Sequence, residues 1–465
     1  MRPLTSLSRL SRRELAVLVA AFVLSLPAVT PRIYASDEIQ YFSYLRSLWF
    51  DRDVSFENEY EYFYQRNVGR GEGFHATFLE QYTDAGRRPS FATLGSAMLW
   101  APFYLAGDVI ARTAGHEADG FSYPYIAAIA YGSAFYGFVA ILLSIRAARA
   151  VIGHGMLAGL LVWIGTPLLF YMYVSPPYSH ACSAFAVALF VTVWLHVRES
   201  WTVRGAIALG LSGALMAMVR EQDAFLAIGP AVDFVVTALG INRRQPGASI
   251  AAAVSAAAAG CSSFFVGIIP QLLAYKALNG RFGPSALVTR KMSWESPNAL
   301  NVLASPEHGF FIWTPLAVLA IAGLVLMMTR GDGRARRVGA CALLMVAIQV
   351  YVSGSVDSWT VAGAFGQRRF VAVTILLTIG LAACLSAALD ARPRAIVRPA
   401  VGVLLAACVW WNIALMAEFG TGLMNRQRLE PRRNAYDAFV TLPRMLPDLV
   451  RRYFFDRPSF YRQRP

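Results

Sequence analysis

The sequence predicts an all-α, polytopic membrane protein with about eleven transmembrane helices and a large first external loop carrying juxtamembrane amphipathic helices. Three observations predict it. Of 465 residues, 56% are hydrophobic and only 15% charged, which is too apolar for a disordered chain or an ordinary soluble domain. The apolar residues gather in runs of about 18–25, the length a helix needs to cross a hydrocarbon core of about 30 Å. The basic residues, 42 against 28 acids, punctuate those runs and form no continuous stripe, so no nucleic-acid partner is expected.

The first apolar run, residues 14–29, follows Arg9, Arg12 and Arg13, which places the N-terminus in the cytoplasm. Ile33 is bulky where a signal-peptide cleavage site before Ser36 needs a small residue, so this run is expected to remain as an anchor. Residues 91–112 hold Pro102, Gly107 and Asp108 and are expected to lie in the interface. Later spans then fall near residues 122–145, 152–174, 181–197, 205–219, 224–240, 248–274, 309–328, 337–353, 370–389 and 399–417. With this register the short cytoplasmic loops carry thirteen basic residues, among them Arg198, Arg243 and Arg244, and the short loops opposite carry seven. That bias supports the orientation. Residues 1–419 form the transmembrane domain, and 420–465 a tail with ten arginines. The tail, with a candidate interfacial helix in it, either stays on the external surface or re-enters over 435–455.

This topology gives a first external segment, residues 32–121, with thirteen acids, eight arginines and many aromatic residues. Five cysteines stand singly in apolar runs and six histidines are scattered, which supports neither a disulfide framework nor a histidine-built metal site. Directly after the first span, Ile39, Phe42, Leu45 and Trp49 recur at helical spacing, while Asp37, Tyr41 and Tyr44 share another face. Ser36 is expected as the N-cap, with Asp37 and Glu38 in the first turn, where the positive helix end favours carboxylates. On spacing alone the two acids serve a cap as readily as a reaction.

A span, an Asp-Glu pair opening a juxtamembrane helix, a second Pro-containing interfacial helix and a span ending in arginine together resemble the GT-C superfamily of integral-membrane glycosyltransferases. The likeness is strongest to its protein O-mannosyltransferase and aminoarabinose-transferase branch. Further echoes are LMAMVREQDAFLAIGP (215–230), SPEHGFFIWTPL (305–316) and GAFGQRRF (363–370). The Lys-Pro-Pro-Leu run of the aminoarabinose transferases is missing; Arg88-Pro89-Ser90-Phe91 stands roughly in its place.

The resemblance implies transfer of a sugar from a polyprenyl-phosphate donor to a glycan, lipid or protein acceptor at the external face of a bacterial inner membrane, among membrane lipids. Such a displacement needs a base for the acceptor hydroxyl and cations for the phosphate leaving group. Asp37 matches the family's catalytic acidic position, with Glu38 beside it for orientation or for contact with a divalent cation, magnesium or manganese. The external cations Lys291, Arg368, Arg369, Arg220 and Arg290 run against the positive-inside trend, and a lipid phosphate would account for them. Tyr41, Tyr44 and His308 are expected to line the substrate cavity. The acids Asp51, Asp53, Glu57, Glu59 and Glu61 suit an acceptor groove, a cation or a solvated face. Tyr173, Tyr178 and His180 are expected as interfacial anchors.

The competing class is a secondary transporter or a flippase of lipid-linked sugars. It rests on Asp233, an ionisable group inside the span 224–240 that would pair with a cation or belong to a proton pathway. No half-to-half repeat accompanies it, as a transporter of inverted halves would have.

Overall fold

The structure, a computed structural model, describes residues 10–69, 73–240 and 250–460. Arg9, Arg243 and Arg244, used above to orient the chain, lie outside the described residues. All regular structure among the described residues is helical. In chain order the main helices are α1 (Arg12–Ser25), α2 (Ser36–Arg46), α3 (Glu57–Gln65), α4 (Gly95–Thr113), α5 (Tyr123–Ile152), α6 (Met156–Gly165), α7 (Leu168–Tyr173), α8 (His180–Val197), α9 (Val203–Val219), α10 (Ile228–Ala238), α11 (Ile250–Asn279), α12 (Leu316–Arg330), α13 (Gly333–Gly354), α14 (Thr374–Asp390), α15 (Arg394–Thr421), α16 (Pro431–Tyr436) and α17 (Leu442–Phe455).

Each of the eleven expected spans falls on a helix, or on the helix pair α6–α7. Among the described residues, six helices are long and apolar enough to cross a membrane by themselves: α5, α8, α11, α13, α15 and α14 with the turn before it. Three shorter apolar helices, α6, α9 and α12, accompany them. Helix α4 has the length but is not one of the six, in keeping with an interfacial position. Helix starts follow local chemistry. Ser11 and Glu14 form a reciprocal capping box on α1, and the Asp332 carboxylate accepts from the amides of Arg334 and Ala335 at the start of α13.

Contacts divide the chain into two units. The first comprises Val29–Ala140 and Tyr171–Met292. Here α9 packs along α8 and α11, and a side chain on Gly210 would strike the backbone of Gly260, the close approach that small residues permit between membrane helices. The segment after the first span folds on an aromatic core: Phe42, Phe56 and Tyr60 are fully buried, and the Tyr60 hydroxyl donates to the Pro89 carbonyl at 3.0 Å. Asp233 is fully buried on α10 and accepts from Arg198 Nε at 2.8 Å, Arg198 Nη2 at 3.1 Å and Trp194 Nε1 at 2.9 Å. Of the two roles open to it in the sequence, the structure gives it a cation partner from the end of α8.

The second unit comprises the residues up to Ala28, Ile141–Phe170 and those from Ser293 onward. Its α12 and α14 approach so closely that a side chain on Gly323 would collide with the Gly380 carbonyl. The Asn412 amide on α15 donates to the carbonyls of Ile164 and Thr166 at 2.9 and 3.1 Å, satisfying backbone groups freed where Thr166-Pro167 separates α6 from α7. After α15 the chain returns along it: Ala438, Leu442 and Leu449 form a small core with Trp410 and Trp411. Tyr453 then donates to the Ala28 carbonyl at 2.8 Å. Helices α16 and α17 are joined by a π turn, Asp437–Thr441, into one helical stretch over 431–455, but it carries Arg432, Arg433, Asp437, Arg444, Asp448, Arg451 and Arg452, too many charges for a span. The tail therefore remains at the end of this unit where the first span terminates.

Candidate active site

Helix α2 begins at Ser36 but is not capped by it. The N-cap is Ala35, and the Glu38 carboxylate closes the helix start, with Oε2 accepting from the amides of Tyr34 at 2.8 Å and Ala35 at 3.1 Å. A glutamate at the third helical position can reach back across the first turn; Ser36, already inside the helix, cannot. The second Glu38 oxygen lies 2.7 Å from Ser175 Oγ, which is also 2.7 Å from the Tyr34 hydroxyl. The Thr30 amide donates to the Tyr173 carbonyl at 2.8 Å, so the segment leaving the first span is fastened to residues 173–175 at two points. Glu38 is fully buried, and burial pushes its carboxyl up to about 7 against the pull of these hydrogen bonds.

Asp37 sits half-buried in the first turn of the helix that this network fixes. Ile39 and Phe42 are fully buried and Leu45 nearly so, as their spacing predicts. Tyr41 is half-buried. Tyr44 is fully buried, its ring edge-on to Phe56 at 4.7 Å. Burial raises its hydroxyl, and the nearby Glu221 charge adds to the effect.

Glu221 belongs to the turn Glu221–Ala227 after α9, and burial raises its carboxyl to about 7. In the same turn Asp223 is fully buried and lies 2.5 Å from Ser183 Oγ. Its carboxyl is pushed up to about 6 by burial, with Arg220 opposing. Arg220 directs Nη1 at His180 Nδ1, 2.9 Å away. His180 stacks on Tyr178 at 5.5 Å and meets Tyr171 edge-on at 4.5 Å. Tyr173, Tyr178 and His180 are all buried and are thus not interfacial anchors; the loop folds inward because its polar groups find protein partners there. Sequence reasoning did not foresee Ser175 and Glu221 as neighbours of α2, since only chain folding brings them to it.

Lys291 is exposed and carries its ammonium 4.5 Å from the centre of the Phe91 ring. The Phe91 amide donates to Gln40 Oε1 on α2 at 2.7 Å, so Lys291 is one residue removed from the Asp37 helix. Arg290 is exposed at the end of the turn Ala286–Thr289. Arg88 is buried: its Nε lies 3.1 Å from Glu57 Oε1, and its guanidinium covers the Tyr82 ring at 3.9 Å.

The acidic run is partly neutralised inside the fold. Arg46 pairs with Asp51 and with fully buried Glu59, and burial lifts Glu59 to about 7 against the Arg46 charge. Asp51, Asp53, Glu57 and Glu61 line an open surface hollow. Among the described residues no group of three or more His, Cys, Asp or Glu side chains could hold a metal ion. Glu38, with both oxygens engaged, does not fit the role of a divalent-cation ligand.

The remaining expected residues belong to the second unit. His308 is fully buried, stacks on Trp313 at 4.6 Å and lies 2.9 Å from the Arg426 carbonyl through Nε2. Burial lowers its ring to about 4, and the Arg368 charge contributes. Arg368 is half-buried. Arg369 is buried and donates to the Ser358 carbonyl at 3.1 Å and its hydroxyl at 3.3 Å, holding the loop 358–369. That loop and its neighbour carry left-handed backbone at Val361, Ala362 and His308, conformations that cost β-branched and bulky residues most.

No family model matches this chain, and no curated protein matches it. Solved structures do. ArnT from Cupriavidus metallidurans in the apo state superposes with a TM-score of 0.52 at 14% identity, over 96% of this chain and 78% of that one. The same protein bound to undecaprenyl phosphate gives 0.51 at 14% identity, over 96% and 77%. The chain thus has the GT-C fold that its sequence resembles.

Proposed function

We propose that this protein is a membrane glycosyltransferase that moves a sugar from a polyprenyl phosphate to a glycan, lipid or protein acceptor at the external face of a bacterial inner membrane. ArnT, a protein of this fold, has been solved with undecaprenyl phosphate bound, which supports a polyprenyl phosphate as the donor carrier. Asp37 takes the proton of the acceptor hydroxyl as that oxygen attacks the anomeric carbon. The bond from that carbon to the phosphate oxygen breaks, and the phosphate leaves with the electron pair, inverting the centre. Lys291 and Arg220, held in the same unit as Asp37, bind the phosphate; Arg290 is exposed beside Lys291 in the chain. In the other unit Arg369 holds the loop 358–369.

The observation that carries this reading is Asp37 in the first turn of a helix fastened by Glu38 and Ser175, within a unit that also holds Arg220 and Lys291. Nothing comparable supports the transporter, because Asp233 is matched by Arg198. The test is Asp37→Asn in membranes supplied with a labelled polyprenyl-phosphate sugar. Transfer is expected to fall about 10²- to 10⁴-fold while donor binding persists; undiminished transfer removes the proposed base.

A further inference from the structure

The tail carries an apolar surface that the transfer reaction does not use. Along α16, the π turn Asp437–Thr441 and α17, one face is buried on α15 through Ala438, Leu442 and Leu449. Beside it runs a second apolar face, Phe439, Leu446, Val450 and Phe454, exposed by 55%, 40%, 49% and 49%. The last three recur every fourth residue, one stripe of a helix. Arg444 and Arg451, seven residues apart, edge that stripe; both are exposed and make no ion pair among the described residues. A water-facing helix would not present such a stripe without a cover.

Where the helix is fastened identifies the cover. Tyr453 donates to the Ala28 carbonyl at 2.8 Å and Arg457 Nη2 to the Pro27 carbonyl at 2.7 Å. Those carbonyls lie just past the end of α1, whose final turn exposes Val23 and Leu24 by 53% and 80%, as a lipid-facing helix does. The stripe of α17 is therefore tied to the level at which the first span leaves the hydrocarbon. We propose that α16 and α17 lie in the membrane interface at that leaflet, with Phe439, Leu446, Val450 and Phe454 among the acyl chains. Arg444 and Arg451 bind the phosphates of anionic phospholipids.

The test uses the full chain with Cys261→Ser and Cys384→Ala, reconstituted in vesicles of phosphatidylethanolamine and phosphatidylglycerol. Nitroxides are placed in turn at Val450→Cys and Asp448→Cys. The Val450 label is expected to be several-fold more accessible to oxygen than to a water-soluble nickel chelate, and the Asp448 label the reverse. A Val450 label as open to the chelate as the Asp448 label puts the stripe in water. One closed to both reagents means that protein, a second copy or another segment, covers it. Either outcome overturns the proposal. For the headgroups, a bimane at Val450 is quenched by chain-labelled phosphatidylglycerol or phosphatidylcholine. Preference for the anionic lipid is expected to drop roughly tenfold in Arg444→Gln/Arg451→Gln; an unchanged preference removes the arginine contacts.

Discussion

The Ser175 hydroxyl lies 2.7 Å from the Glu38 carboxylate across 137 residues of sequence, and the contact separates the roles of two adjacent acids. Glu38 is a buried closure of α2 that points into protein. Asp37 beside it is half-buried, with its carboxyl carried by the helix start that Glu38 fixes. The Asp-Glu pair thus divides into one residue committed to the helix start and one left for the proposed reaction.

Glu38→Gln is expected to fold and to retain most transfer activity. A glutamine oxygen can accept from the Tyr34 and Ala35 amides, and its NH₂ can donate to Ser175 Oγ, which then turns its proton to Tyr34. Glu38→Ala leaves those donors buried without an acceptor, at about 1–3 kcal/mol, and is expected to lower both melting temperature and rate. Equal loss of activity in the two variants at full stability would give Glu38 a direct catalytic role.

Arg198→Ala is expected to destabilise the protein by about 3–5 kcal/mol, because it leaves the buried Asp233 carboxylate uncompensated. Pairing it with Asp233→Leu should restore much of that loss. Thermal unfolding in detergent measures both. Transfer by the folded fraction should match that of the parent; a specific collapse of function in a stable Asp233→Asn would revive the proton-pathway reading.

Stability is expected to rise on mild acidification. Glu38, Glu59 and Glu221 have folded values near 7 against 4.5, and Asp223 near 6 against 3.8. Between those limits the folded state holds more protons than the unfolded one. The stabilising term is complete below the unfolded values and is lost as pH rises through about 6–7. Melting temperature should therefore fall between about pH 5.5 and 8, and by less in Glu221→Gln. Parallel curves for parent and variant would exclude Glu221 as a source.

Gly323→Val is expected to separate α12 from α14 and to cost about 1–3 kcal/mol or more, since the new side chain meets the Gly380 carbonyl. Gly402→Val, with open space around it, is the control. A variant at Gly323 as stable as the control would show that the two helices can move apart freely.

Much of the fold was legible in the chain. Hydrocarbon thickness sets the length of an apolar run, so the helices on which the eleven expected spans fall follow from local composition. The apolar stripe Ile39, Phe42, Leu45 was equally legible, because helical periodicity is a property of neighbours. Tyr44 was not: spacing put it with Asp37, but Phe56 and the Glu221 turn close over it.

The sequence by itself determined a membrane bundle, a long acidic segment between the first two spans and an Asp-Glu pair at the first helix after the first span. Tertiary structure decided which acid is spent on the backbone, that Arg198 answers Asp233, that Arg220 faces His180, and that the tail ends beside Ala28. The physical reason is range. Helix length and periodicity are set within about twenty residues, whereas the partner of a buried charge or hydrogen-bonding group is whichever group the fold brings within about 3 Å.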